Sequence, residues 1–201
     1  MDTCYIVGAA PFSESFTVDA SDFVIAADGG QQALRQRGIR PHLVVGDFDS
    51  SEMPDDVAVV RHPVEKDDTD TSLAVREGIA RGYTYFVFYG CTGGRPDHTF
   101  ANVQTLYHLA REGMFGFLVG DGMVGTVVLD RTLSFAPQGT VSVFSLTDES
   151  LGVTIEGLKY PLNGARLTND FPLGVSNEGN GQPAKIKVER GALYVLWENK
   201  T

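Results

Sequence analysis

Four short apolar runs in this chain each lead into a loop that carries aspartate. Phe23–Ala27 ends in Asp28-Gly29-Gly30, and Leu43–Val45 ends in Gly46-Asp47-Phe48-Asp49-Ser50. Val57–Val60 leads to Lys66-Asp67-Asp68-Thr69-Asp70. Tyr85–Tyr89 ends in Gly90-Cys91-Thr92-Gly93-Gly94-Arg95-Pro96-Asp97-His98. Gathered carboxylates need a counter-charge, and Mg²⁺ supplies one through oxygen ligands, commonly one or two carboxylates plus substrate phosphates. In an extended backbone Asp47 and Asp49 point the same way while Phe48 turns inward. Lys66 and Arg95 bring the positive groups that phosphate oxygens require. Gly29-Gly30 and Gly93-Gly94 permit close backbone approach. Singly, each feature has an ordinary structural explanation. Asp70 can be a helix N-cap, the Asp47–Ser50 stretch an Asx turn, a glycine pair a turn, and His98 a merely exposed side chain. Together they point to Mg²⁺-dependent phosphate chemistry.

That chemistry needs the four loops on one edge. The first ~115 residues alternate short buried-strand patterns with helical stretches at Gln31–Arg37, Thr71–Arg81 and Thr99–Glu112, each stopped by glycine. Such alternation implies a mainly parallel sheet with helices on its faces, whose ligands gather at the carboxyl ends of the strands. Helices starting near Thr71 and Thr99 then aim their N-termini at the site. From about Phe115 the pattern changes to short alternating runs: Phe117–Val119, Thr126–Leu129, Thr140–Leu146, Val153–Ile155, Lys185–Glu189 and Leu193–Trp197. These predict an all-β unit, a small sandwich. The expected boundary falls near residues 120–135, giving an α/β domain over 1–125 and a β-sandwich over 126–201. Lys159–Gln182 reads as loop-rich, Glu189-Arg190-Gly191 as a hairpin turn, and Trp197 as core packing rather than a stacking platform.

Composition excludes several classes. The 201 residues carry 16 basic and 26 acidic side chains, a net charge of −10, which repels a nucleic-acid backbone. No apolar run reaches the roughly 18 residues of a membrane span. Asp2 stands where a signal peptide would be basic, so the expectation is a cytoplasmic protein. Cys4 and Cys91 have no metal-type spacing and read as small buried hydrophobes. There is no GxxxxGK[ST] loop, no HRD and DFG pair, and only Gly8-Ala9-Ala10 after the first strand.

At the same loops the sequence resembles the thiamine pyrophosphokinase family. The matching stretches are Ala27-Asp28-Gly29-Gly30, Gly46–Ser50, Glu65–Asp70, and Thr92–His98 running on to Ala101-Asn102, with Val175-Ser176-Asn177-Glu178 in the β half. The resemblance implies an α/β nucleotide-binding domain, a β-sandwich that binds thiamine, and a homodimer with shared active sites. It implies transfer of pyrophosphate from ATP to the thiamine hydroxyl, with Mg²⁺ held by Asp47, Asp49 and Asp70. Arg95 and Asp97 would join these in catalysis. Asp28, Gly29, Gly30, Lys66, Thr69, Gly93, Gly94 and His98 would bind ATP, and Ser176 and Asn177 would contact thiamine. Gln31-Gln32, His42 and Pro96 depart from the usual family residues. Asp97, Asp70 and His98 all stand open as acceptor of the hydroxyl proton. Rival readings are a pyrophosphokinase for another small alcohol such as a pterin, a nucleotide hydrolase, and a non-catalytic nucleotide-binding module.

Overall fold

The computed structural model describes residues 2–46, 57–61 and 68–199. The chain divides into two compact units, residues 1–105 with 113–121, and residues 106–112 with 122–201.

In the first unit six strands pair in the order β6 (Phe115–Gly120), β5 (Tyr85–Tyr89), β1 (Cys4–Val7), β2 (Phe23–Ala27), β3 (Leu43–Gly46), β4 (Ala58–Arg61). Every pairing among them is parallel. Parallel strands covered on both faces read as continuous apolar runs. Accordingly Ile6, Val24, Ile25, Val44, Phe86 and Phe88 are fully enclosed, each contributing about 1.5–3 kcal/mol by burial. The helices are α1 (Gly30–Gln36), α2 (Asp70–Ala80) and α3 (Pro96–Arg111). Leu73, Ala74 and Val75 of α2 are buried, and Gly78 lets the helix settle on Phe86 and Cys4. Each helix begins one to three residues earlier than its sequence pattern indicated.

Residues 8–22 link β1 to β2. Phe16 stacks on Tyr89 with ring centroids 4.5 Å apart, Phe12 lies 5.4 Å from the same ring, and the Arg37 guanidinium covers Phe12 at 3.8 Å. His42 also has a structural place. Its Nδ1 accepts the Val24 N–H at 3.0 Å and its ring stacks on Phe23.

In the second unit, β12 (Gly174–Asn180), β9 (Gln138–Ser145), β14 (Ala192–Glu198) and β7 (Met123–Leu129) form one antiparallel sheet. A second consists of β11 (Leu162–Thr168), β10 (Glu149–Glu156), β13 (Ala184–Lys187) and β8 (Thr132–Phe135). Val141, Val143, Val195, Val153, Ile155 and Ile186 from the two sheets share one core, and Trp197 packs against it edge-to-face with Phe135. Two expectations fail here. Lys159–Gln182 holds two strands, β11 and β12, rather than loop alone. Glu189–Gly191 is no hairpin, because β13 and β14 lie in different sheets and the segment crosses between them. Strand β8 also went unread. Among the described residues no helix is long and apolar enough to cross a membrane.

Candidate active site

Parallel pairing puts the carboxyl ends of β1, β2, β3, β5 and β6 on one edge of the first unit. At the end of β2, Asp28 turns left-handed (φ 49°) and donates its N–H to Val45 O at 2.8 Å. Gly29 stands at the N-cap of α1. Gly30 begins the helix pressed onto β1, where any Cβ would lie 1.9 Å from Val7 O. Only glycine lets that helix start so close to the strand.

Thr69 is the N-cap of α2, its Oγ1 accepting the Ser72 N–H at 3.1 Å. Asp70 is therefore the first helical residue, not the cap, and its carboxylate stands at the positive end of the helix dipole. Asp68 is engaged elsewhere, in an ion pair with Arg76 at 2.7 Å.

The segment after β5 is held from beneath. Asn102 is 3% exposed, and its Nδ2 donates to Cys91 O at 2.8 Å, tying the loop to α3. Arg95 O accepts the Thr99 N–H, which opens α3, and Pro96 is the first helical residue. Proline suits that position, where its missing N–H would have no partner. The departure from the family residue at 96 is thus a normal helix start. Arg95 grips Asp97 with two hydrogen bonds, Nε to Oδ1 at 3.2 Å and Nη2 to Oδ2 at 2.5 Å. The bond from Arg95 holds the Asp97 carboxyl below its usual range. Burial pushes the Cys91 thiol up to about 12, so it is no nucleophile.

These elements enclose a cavity of about 460 Å³ whose walls include Asp28, Thr69, Asp70, Gly94, Arg95 and His98. Residues that follow β1, β2, β4 and β5 thus meet, in keeping with the strand-end rule. Gly29, Gly30, Gly93 and Asp97 flank these positions without lining the cavity. Asp47, Asp49 and Lys66 lie outside the described residues. Two residues have places that the sequence reading does not assign: Asn102 is quoted there only within a matching stretch, and Asp121 is not singled out. Asn102 supports the loop, and Asp121 follows β6 just as Asp28 follows β2. The signal for Asp121 was present, an Asp-Gly pair after an apolar run.

Ser176 and Asn177 belong to the second unit and have different surroundings. Ser176 is exposed at a register shift in the β12–β9 pairing, with a left-handed backbone (φ 61°). Its N–H donates to Ser142 Oγ at 3.2 Å. Asn177 is 6% exposed. Its Oδ1 accepts the Tyr160 and Glu178 N–H groups, both at 2.9 Å, and its Nδ2 donates to Tyr160 O at 2.7 Å. Three of its four side-chain hydrogen-bonding positions are used inside the β unit.

A parallel α/β unit with glycine turns, helix N-termini and oxygen donors around one cavity, together with a two-sheet β unit, is a class of architecture suited to phosphate ligands. Comparison makes this specific. The family model for the thiamin pyrophosphokinase catalytic domain matches residues 16–115, and that for the thiamin pyrophosphokinase vitamin B1 binding domain matches residues 127–193. The chain belongs to the thiamin pyrophosphokinase family and is a transferase of that type. It is 28% identical over 190 residues to the thiamine pyrophosphokinase of Bacillus subtilis strain 168, covering 86% of this chain and 85% of that protein. A crystal structure of thiamine pyrophosphokinase from Bacillus subtilis superposes with a TM-score of 0.90 at 24% identity over the full length of both chains. That of thiamin pyrophosphokinase from Geobacillus thermodenitrificans gives 0.85 at 26% identity over 99% and 98%.

Proposed function

We propose that this chain transfers the pyrophosphoryl group of ATP to the hydroxyl of thiamine, giving thiamine diphosphate and AMP. The observation that carries the reading is the cavity where Asp28, Thr69-Asp70 and Gly94-Arg95 converge, in a chain matched by both family models. The hydroxyl oxygen attacks the β-phosphorus, the bond from that phosphorus to the bridging oxygen breaks, and AMP departs with the oxygen. Such transfers depend on positioning and on neutralising charge. Arg95 offers a planar fork to phosphate oxygens, and the N-terminus of α2, begun by Asp70 and Thr71 on the cavity wall, faces them with the positive end of its dipole. Of the three candidate acceptors for the hydroxyl proton, Asp97 is disfavoured, because Arg95 both occupies it and lowers its basicity.

Mg²⁺ fits the donor set. The carboxylates of Asp28 and Asp70 and the hydroxyl of Thr69 are hard oxygen donors on the cavity wall. Among the described residues no group of three metal-ligating side chains occurs. The proposed ligands are Asp70 together with Asp47 and Asp49. When bound, the ion would neutralise phosphate charge.

The α/β domain, residues 1–125, serves ATP and metal in this reading, and the β-sandwich, 126–201, serves thiamine. Exposed Ser176 is the direct contact, and Asn177 beside it in β12 ties that strand to Tyr160. Two such chains form a homodimer with sites shared between them. The buried free cysteines suit a reducing cytoplasm. The test is AMP formation from Mg-ATP with and without thiamine. Thiamine-dependent AMP matched by thiamine diphosphate supports the reading. Thiamine-independent AMP would make the protein a nucleotide hydrolase.

A further inference from the structure

The strand-end edge of the first unit carries one more acid than the sequence pattern singled out. Strand β6 runs parallel to β5 with Tyr89 opposite Val119, so Asp121 leaves the sheet level with Cys91 and beside the loop that follows β5. Its backbone is left-handed (φ 55°), a conformation Asp and Asn tolerate better than other residues with a Cβ. Its carboxylate lies against Gly93. A Cβ built on that glycine would stand 2.4 and 2.5 Å from the two carboxylate oxygens. Thr92 closes on Gly120 in the same way, its Oγ1 2.4 Å from where a Cβ would be. Each turn therefore sets a glycine against a side chain of the other. The cavity wall includes Thr92, Gly94 and Arg95 but not Asp121, which is exposed.

We propose that Asp121 is a positioning residue for ATP. Its carboxylate is the wall on which Gly93 rests, and by its shape it fixes where Gly94 and Arg95 meet the polyphosphate. The proposal rests on the pyrophosphokinase reading for the identity of the bound nucleotide. Asp121 does not line the cavity, so its negative charge is not presented to the phosphates, which it would otherwise repel.

Two variants separate shape from charge. Asp121→Gly keeps the left-handed backbone and removes the wall, whereas Asp121→Asn keeps both and removes only the charge. Asp121→Gly is expected to raise KM for ATP about tenfold and to leave KM for thiamine within about twofold, a split that global damage would not produce. Asp121→Asn should behave like the parent. Gly93→Ala drives a methyl group into the carboxylate, so adding Asp121→Gly to it should recover part of the lost ATP affinity rather than deepen the loss. Equal impairment of Asn and Gly variants, equal effects on both substrates, or strict additivity of the pair would each overturn the proposal. Calorimetric affinity for a non-hydrolysable ATP analogue gives the same comparison without turnover. A parent that binds the analogue but makes no thiamine diphosphate overturns the reaction, while the wall is still judged by the variants' affinities. A parent that binds no analogue overturns both.

Discussion

Arg95 and Asp97 stand two residues apart across the first turn of α3, joined by a two-point ion pair at the rim of the cavity. In the proposed role of Arg95, ATP would compete with Asp97 for that guanidinium, and the planar fork would give it a second point of attachment that a lysine lacks. Arg95→Lys should therefore lower kcat/KM by about tenfold although it keeps the charge. Full activity in the lysine variant beside a dead Arg95→Ala would reduce the role to charge alone. For Asp49 the expected loss is larger. Asp49→Asn preserves size but not charge, and turnover at saturating Mg²⁺ should fall at least ~10²-fold with melting temperature little changed. A near-normal rate would remove Asp49 from the metal site. The cysteines give a separate check. Cys4 and Cys91 are both pushed by burial from 9.0 to about 12. Folding thus favours their protonated form, and the stability this gives is complete below pH 9 and lost as pH rises towards 12. At pH 8 a thiol reagent should label neither cysteine in the native protein and both after denaturation.

Among the elements, helix α2 has its first turn held by the Thr69 cap. Thr69→Ala leaves the Ser72 N–H without its partner and should destabilise the protein by about 1 kcal/mol. Activity should fall further than that figure implies, because Asp70 takes its position from the first turn. Thr69→Ser, which restores the hydroxyl, should recover both in the same denaturation and rate measurements. The loop after β5 has a comparable anchor in Asn102. Asn102→Ala strands a buried carbonyl at Cys91, and the expected destabilisation is about 1–3 kcal/mol in urea unfolding. No change there would mean that water or another donor replaces the amide.

For the whole molecule, the shared-site proposal has a direct test. The metal-site lesion Asp49→Asn is paired with a thiamine-loop lesion, and the structure selects Ser176→Arg over a change at Asn177. Ser176 is exposed, whereas charge at Asn177 would be forced into a buried hydrogen-bonded position. The two inactive variants are unfolded and refolded together in equal amounts. Random pairing puts about half the chains in mixed dimers with one intact site each, so activity should return to about a quarter of the parent's. If each chain holds a complete site, every site carries one lesion and mixing restores nothing.

The α/β unit and the order of its strands along the chain were legible in the sequence, as were the acidic loops proposed to carry the chemistry. Buried parallel strands such as Phe23–Ala27 are unbroken apolar runs, and their acidic, glycine-rich exits are equally visible. The sequence did not reveal β11 and β12. Gly174, Asn177 and Gly179 face inward where a readable strand shows large apolar residues, and glycine at 174 and 179 is required by the close approach of Val143 O and Pro137 O. Those strands exist because partners across the sheet supply the pairing, which is a tertiary fact. Tertiary structure alone likewise decided that Thr69 caps α2, that Asn177 is consumed by Tyr160, and that Asp121 abuts Gly93. The last two are contacts between segments whose separation or orientation no local pattern encodes, whereas the cap is local and only its exact position needed the structure. Residue types and spacing specify which groups are available for chemistry, and packing decides which of them remain exposed to perform it.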